Sequence, residues 1–332
     1  MLPSAGRRRD LTVRGRSTRR KREVPGLTCL IPTLEFALYS LGGPGPAVEI
    51  CSPPFSSARY SRYKYGSVTA AEAFARALGT AFAERHPELA RAPRLLMTSS
   101  PYAYVPTAAT TLARSLQPVL NTVRARVGLP PAPFVQVDRI GASAGDYGTL
   151  SARARDRRMA ANVLSFRRFP PDQVRGAHLL VVDDVRVTGA HQRCVMRASE
   201  GMPFLAQTFL YIACFRPASS RFDPTQEDAL NHAAVRTLAD LARIVTGSDF
   251  SWNVRVCKFV LNQANRRGLP RFLGEMPGWF VRDLYRNSCR DGYARMALYA
   301  PSHEVVRAEL ARRYGRPRRR PLRVGPPARL SA

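Results

Sequence analysis

The chain has no apolar run approaching the ~18 residues needed to cross a membrane, so no transmembrane segment is expected. Its six cysteines, Cys29, Cys51, Cys194, Cys214, Cys257 and Cys289, include no CxxC pair. That spacing argues against a zinc site or a disulfide framework and suits a reducing, cytoplasmic setting. There is no GxxxxGK[ST] segment, which leaves a P-loop phosphatase or kinase without its phosphate cradle. Acids are scarce: 24 Asp and Glu stand against 52 Lys and Arg, a formal net charge of +28. The hydrophobic fraction of 45% is nevertheless ordinary for a globular protein of 332 residues.

The charge is concentrated at the two ends. Residues 1–22 and 312–332 each carry a net +8, leaving +12 on residues 23–311. Both ends are rich in Arg, Pro and Gly and poor in large apolar residues, so residues 1–26 and 312–332 read as disordered basic tails. They are either solvated or arms for nucleic acid or another polyanion. Arg19-Arg20 followed by residues 27–41 superficially suggests a twin-arginine export signal, but Pro25, Pro32 and Glu35 break the apolar region it would need.

Between the tails the pattern alternates. Residues 27–41 are moderately apolar and read as a strand or edge element ahead of a Gly/Pro loop. CSPPFSSARYSRYKYGS, residues 51–67, reads as a loop or short strand. Within it Arg62 and Lys64, beside Tyr60, Tyr63 and Tyr65, read as edge-strand residues, the alternative being an acceptor or phosphate platform. A helix follows, capped by Thr69 with Glu72 three residues on, its apolar face being Ala71, Phe74, Ala75, Leu78 and Phe82. Residues 94–100 form a strand, and a second helix starts near Thr107 with Leu112, Leu116 and Leu120 on one face. Pro118 is expected to end or kink it. Residues 134–140 read as a third strand, residues 141–148 as a mobile loop, and residues 209–215 as a buried strand. Beyond Pro217, residues 235–245, 251–267 and 278–299 look helical. The expected organisation is a parallel-sheet α/β domain over 27–215 and a helical subdomain over 216–311.

The stretch that organises the rest is LLVVDDVRVTGAH, residues 179–191. Four apolar residues, two of them β-branched, read as a strand buried on both faces. Asp183 and Asp184 lie at its C-terminal end, where ligands bind in parallel sheets. A short loop holding Val187, Thr188 and Gly189 leads into a helix at about Ala190 and His191. Loop and helix N–H groups can hold a phosphate, and the carboxylates can hold sugar hydroxyls or a hydrated Mg²⁺.

This stretch resembles the PRPP-binding signature of type I phosphoribosyltransferases: apolar strand, acid pair, two variable residues, Thr-Thr-Gly, small residue, Thr. Val187 and His191 stand where that family usually has threonines. The segment TLSARARDRRMAANVLSF resembles the region ahead of the signature in ComF-like members, although Arg158 lies four residues before Asn162 rather than three. SRYKYGS resembles the entry segment of phosphoribosyltransferase domains from bacterial stress and tellurite-resistance gene clusters. The resemblance implies a Rossmann-like phosphoribosyltransferase fold, Mg²⁺ as cofactor, and transfer of 5-phosphoribosyl from PRPP to an unidentified small acceptor with release of pyrophosphate.

By residue, the resemblance implies that Val187, Thr188, Gly189, Ala190 and His191 hold the 5′-phosphate, with backbone N–H groups and a protonated His191 standing in for the missing hydroxyls. Asp183 and Asp184 would be the catalytic carboxylates, holding the ribose hydroxyls and reaching Mg²⁺ through PRPP and water. Ser99, Ser100, Arg157 and Arg158 would face pyrophosphate, and residues 141–158 would form the lid. The two serines equally suit a turn before Pro101, and the arginines a solvated helix face. His86, His178, His232 and His303 show no ligand spacing and read as structural or surface residues. A homodimer is left open. The alternative function is a weakly catalytic PRPP-binding regulator with basic arms for nucleic acid.

Overall fold

The protein is described here from a computed structural model covering residues 31–41, 48–49, 54–140, 163–215, 226–247 and 249–315. Residues 1–30 and 316–332, which hold nearly all of the expected tails, lie outside the described residues, as do the expected lid and Arg157 and Arg158.

Strands β1 (Thr33–Leu41), β2 (Val48–Glu49), β3 (Leu95–Ser99), β6 (His178–Arg186) and β7 (Ala206–Phe215) form one sheet in the order β2-β1-β7-β6-β3. β1, β7, β6 and β3 run parallel, and β2 pairs antiparallel to β1 at the edge. The motif strand β6 is therefore central. Leu179 and Val181 enter the core on one face with Phe209 and Tyr211, while Leu180 and Val182 enter the other with Leu210 and Ile212. All four β6 side chains are fully buried, each stabilising the fold by roughly 1.5–3 kcal/mol. Burial on both faces is why the strand is continuously apolar rather than alternating.

Helices α1 (Ser57–Lys64), α2 (Val68–Arg85), α3 (Pro87–Ala90) and α4 (Ala108–Ala125) supply the layer on the Leu180/Val182 face. The expected stripe of α2 is buried as read. Its N-cap, however, is Ser67, whose hydroxyl accepts from Ala70 N–H; the N–H of Thr69 is taken by Asp249. α4 runs through Pro118 to Ala125. A proline inside a helix costs ~3 kcal/mol, and the buried stripe of Leu112, Leu116 and Leu120 offsets it. α2 and α4 pack closely at Gly79, where a Cβ would lie 2.7 Å from Leu116 and 2.8 Å from Val119.

Two stretches differ from expectation. Residues 57–64 are neither loop nor edge strand but α1, begun by Ser56 accepting from Arg59 N–H. The buried residues Tyr60, Ser61, Tyr63 and Lys64 form one helical face. Residues 134–140 do not join the main sheet. Only β4 (Asp138–Ile140) is a strand, paired antiparallel with β5 (Val163–Ser165) in a separate two-stranded sheet. Pro131 and Pro133 just upstream have no N–H to donate to a ladder, and Phe134 makes only an isolated bridge to Met97.

On the opposite face lie α5 (Pro171–Val174) and α6 (Ala190–Ala198). Six further helices follow: α7 (Gln226–Asn231), α8 (Leu238–Val245), α9 (Val254–Leu261), α10 (Leu269–Glu275), α11 (Gly278–Arg290) and α12 (Ala300–Tyr314). Of these, α8 to α12 share an apolar cluster that also takes in Tyr65 and Val105, while Leu230 of α7 packs against the cluster of the α1–α4 layer. Hydrogen bonds fasten them to α1 and to the turn after β3: Asn253 Nδ2 to Lys64 O, Ser61 Oγ to Asn231 O, and Tyr104 and Val105 N–H to Asp291 Oδ1. Arg312 and Arg313, counted above with the basic C-terminal run, belong to the last turn of α12 and both pair with Glu309. No helix among the described residues is long and apolar enough to cross a membrane.

Candidate functional site

β6 does not stop at the acid pair. It continues to Arg186, with Asp183 opposite Tyr211, Val185 opposite Ala213 and Arg186 opposite Cys214 on β7. Strand alternation then separates the two carboxylates. Asp183 follows Leu179 and Val181 toward the α6 face, and Asp184 follows Leu180 and Val182 toward the α1 face. Each meets a different basic side chain. His191 Nδ1 lies 2.8 Å from Asp183 Oδ2, and Lys64 Nζ forms an ion pair with Asp184 Oδ2. Ser100, just past the end of β3, donates to Asp183 Oδ1 at 2.6 Å.

The carboxylates also accept from the backbone. Asp184 N–H donates to Asp183 Oδ1 at 2.9 Å, and Val185 N–H donates to Asp184 Oδ1 at 2.8 Å. An ionised carboxylate offers about four lone-pair sites. With these contacts made, two remain on Asp184 and one on Asp183 among the described residues. The pair is thus oriented and still able to accept from incoming hydroxyls.

The electrostatic environments differ. Burial would raise the Asp183 carboxyl, but the His191 charge and the bonds from His191, Ser100 and Asp184 N–H outweigh it and hold it below the ordinary range. At Asp184, burial and the neighbouring Asp183 charge prevail over Lys64, and its carboxyl lies above the ordinary range. Tyr60 and Tyr63 of α1 are fully buried, and their hydroxyls have no hydrogen-bond partner among the described residues. Burial first, then the Asp184 charge, pushes both phenols well above their usual range.

Lys64, Ser100, Asp183, Asp184 and His191 line one cavity of about 550 Å³; Tyr60 and Tyr63 lie outside its wall. It lies between the C-terminal ends of the parallel strands and the later helices. The motif contributes Asp183, Asp184, Val187, Thr188, Gly189, Ala190 and His191, and Ser100 joins them. Gly189 has φ +72°, the left-handed region that glycine adopts without strain, and turns the chain into α6. A helix N-terminus at this point favours an anion. Arg186 and Arg193 flank the turn: a Cβ on Gly189 would lie 3.5 and 3.2 Å from their guanidinium groups. Val187 is buried in the apolar cluster beneath the loop, where a threonine hydroxyl would need a partner. His191 Nε2 is shielded and has no hydrogen-bond partner among the described residues.

Ser99 does not join its neighbour. It is buried, its hydroxyl lies 3.0 Å from that of Thr110 on α4, and it is absent from the cavity wall. Alternation along β3 turns Ser99 and Ser100 to opposite sides. Sequence reasoning placed Lys64 on an edge strand, with an acceptor or phosphate platform as the alternative, and did not pair it with Asp184. It also missed Arg139 of β4, Tyr211 of β7, His232 after α7, and Lys258 and Phe259 of α9, all of which line the cavity. The helical spacing of Tyr60, Tyr63 and Lys64 was the available signal for α1; nothing local marked the α9 residues.

Supporting contacts brace the motif. Gln192 Nε2 donates to Glu35 Oε1 at 2.7 Å, Tyr211 Oη donates to Gln192 Oε1 at 3.1 Å, and Arg186 pairs with Glu35 at 3.1 Å. A protein-built metal cage does not fit. Among the described residues no group of three or more His, Cys, Asp or Glu side chains is placed to hold a metal ion, and both motif carboxylates already carry basic partners.

Residues 36–306 match the family described as PRTase ComF-like. The match extends beyond the sheet into the later helices. No curated protein matches the chain.

Proposed function

The chain belongs to the PRTase (phosphoribosyltransferase) ComF-like family, and from that premise we propose that it binds PRPP in the 550 Å³ cavity and transfers the 5-phosphoribosyl group to a small acceptor. The observation that carries this reading is the acid pair at the end of β6. It is oriented from both sides, its lone pairs remain available, and it stands beside an anion-favouring helix N-terminus.

In this reading the 5′-phosphate sits on the 187–191 turn, bonded by backbone N–H groups and by His191 Nε2 as a donor. The ribose 2′- and 3′-hydroxyls donate to Asp183 and Asp184. Pyrophosphate lies toward Ser100 and the N-terminus of α4, where Thr107 and Ala108 line the wall. The bond from C1 to the pyrophosphate oxygen breaks with its electron pair leaving on pyrophosphate. An acceptor lone pair forms the new bond to C1, and the acceptor's proton passes to the departing pyrophosphate or to water. The carboxylates favour the positive charge that develops on the ribose in between. Asp183 and Asp184 would hold Mg²⁺ through water, and the ion would supply neutralising charge to the leaving group.

The test is release of pyrophosphate from PRPP and Mg²⁺ with a panel of nucleobases, amines and other small acceptors. Release above that of an Asp183→Asn variant supports transfer. PRPP binding without release for any acceptor leaves the second reading, a PRPP-binding regulator. The replacement of two signature threonines by Val187 and His191 favours that outcome.

A further inference from the structure

We propose that Lys64 is a positioning residue of this site: it holds Asp184 in the orientation that receives a ribose hydroxyl, from an α-helix that the strand-loop-helix signature does not contain. The assignment rests on the PRPP reading above.

Lys64 is a buried lysine, 7% exposed, at the C-terminal end of α1. Buried lysines are rare unless paired. Its ammonium reaches Asp184 Oδ2, and 120 residues separate the two in sequence. The remainder of the residue is fixed as well. Its backbone carbonyl accepts from Asn253 Nδ2 at 3.2 Å, and its ammonium lies 5.7 Å from the centre of the Tyr60 ring. Both Lys64 and Asp184 line the cavity, so the ion pair faces the ligand space rather than filling a dry core.

The geometry decides between glue and positioning. Asp184 Oδ1 is held by Val185 N–H, which fixes one oxygen through a bond to the neighbouring residue. Only Lys64 holds Oδ2 among the described hydrogen bonds. Without it the carboxylate can rotate about its last bond, away from the like charge of Asp183. With it, both carboxylates present their remaining lone pairs to the same cavity. Lys64 also provides the positive charge that lets two adjacent carboxylates share a nearly buried position. α1 is bonded in turn to the later helices through Ser61 and Asn231. The acid pair and the helical wall are therefore oriented from one element.

The experiment is calorimetric titration of the full chain with PRPP in Mg²⁺, for wild type, Lys64→Met, Lys64→Arg and Asp184→Asn, with unfolding midpoints measured alongside. Lys64→Met is expected to weaken PRPP binding roughly 10- to 100-fold, the range for loss of a charged hydrogen bond. Lys64→Arg, which keeps the charge and a donor, is expected to recover most of that loss. In an Asp184→Asn background Lys64→Met should change affinity by less than about threefold, because the partner it orients has already lost its charge. If Lys64→Met lowers only the unfolding midpoint, Lys64 is glue and the assignment is wrong. If Lys64→Arg binds as poorly as Lys64→Met, or the losses at 64 and 184 simply add, the assignment is also overturned. If Lys64→Met fails to fold, the arginine variant and the Asp184→Asn background still decide. A wild-type chain that does not bind PRPP removes the underlying reading and this assignment together. Binding by wild type with no change in Lys64→Met removes this assignment alone.

Discussion

The two ends of β6 carry polar side chains in opposite arrangements. At the start of the strand, buried His178 places Nε2 2.8 Å from Thr208 Oγ1 on β7. The pair is neutral and satisfied, and His178 is not part of the cavity wall. Burial pulls its imidazole down to about 4, so it is uncharged at neutral pH. At the other end, Asp183 and Asp184 are almost as enclosed, yet each carries a charged or titratable partner, keeps unused lone pairs and opens onto a cavity. The first arrangement contributes to stability and has nothing to offer a ligand. The second places two like charges side by side at a cost that a purely structural site would not carry. The contrast separates a buried polar residue that holds the sheet together from one that is positioned to bind.

The largest expected effect is at the acid end. Asp183→Asn is expected to weaken PRPP binding on the order of 100-fold while moving the unfolding midpoint little, since one of two adjacent like charges is removed. A fall in midpoint with unchanged binding, measured by calorimetry and thermal unfolding, would reverse the assignment of the two ends. Next is His178→Ala, expected to cost about 2 kcal/mol of stability from the lost packing and the orphaned Thr208 hydroxyl. Chemical denaturation measures this cost, and PRPP affinity of the folded variant should match wild type.

The third expectation concerns pH. The folded-state value of His178 lies below its unfolded value of about 6.5. Its contribution is therefore complete above pH 6.5 and is lost as pH falls from there through about 4. The loss should be about 1–2 kcal/mol, less than burial alone implies, because Thr208 Oγ1 can accept from the protonated ring. Denaturation of wild type and His178→Ala across this window isolates it; parallel curves would remove His178 as the source. The smallest effect distinguishes the adjacent serines. Ser100→Ala should weaken PRPP binding about fivefold, whereas Ser99→Ala should leave it within about twofold, because its hydroxyl faces Thr110.

The same contrast explains what could be read before the structure. The parallel sheet was legible because β6 and β7 are apolar on both faces, and a run such as LLVV has few other places to go. The motif was legible because its chemistry is local: acids, turn and helix start lie within 13 residues. The partners of the acids were not. Lys64 approaches from 120 residues away, on a segment whose tyrosines and basic residues suit an edge strand as well as a helix when taken singly. Only the coincidence of Tyr60, Tyr63 and Lys64 on one helical face, after Ser56 as cap, separates the two readings. Residues 134–140 failed for a related reason. Their alternation is strand-like, but the upstream prolines and the β5 pairing divert them from the main sheet. Ser99 and Ser100 are indistinguishable by type, and only strand alternation sends one to α4 and the other to Asp183.

The central claim is that the C-terminal end of β6 binds PRPP through its acid pair. The direct measurement is calorimetric titration of the full chain with PRPP in Mg²⁺, wild type against Asp183→Asn. Saturable binding by wild type with a dissociation constant of roughly micromolar order, weakened on the order of 100-fold by the substitution, is the predicted result. No binding by wild type, or equal binding by both, would contradict it.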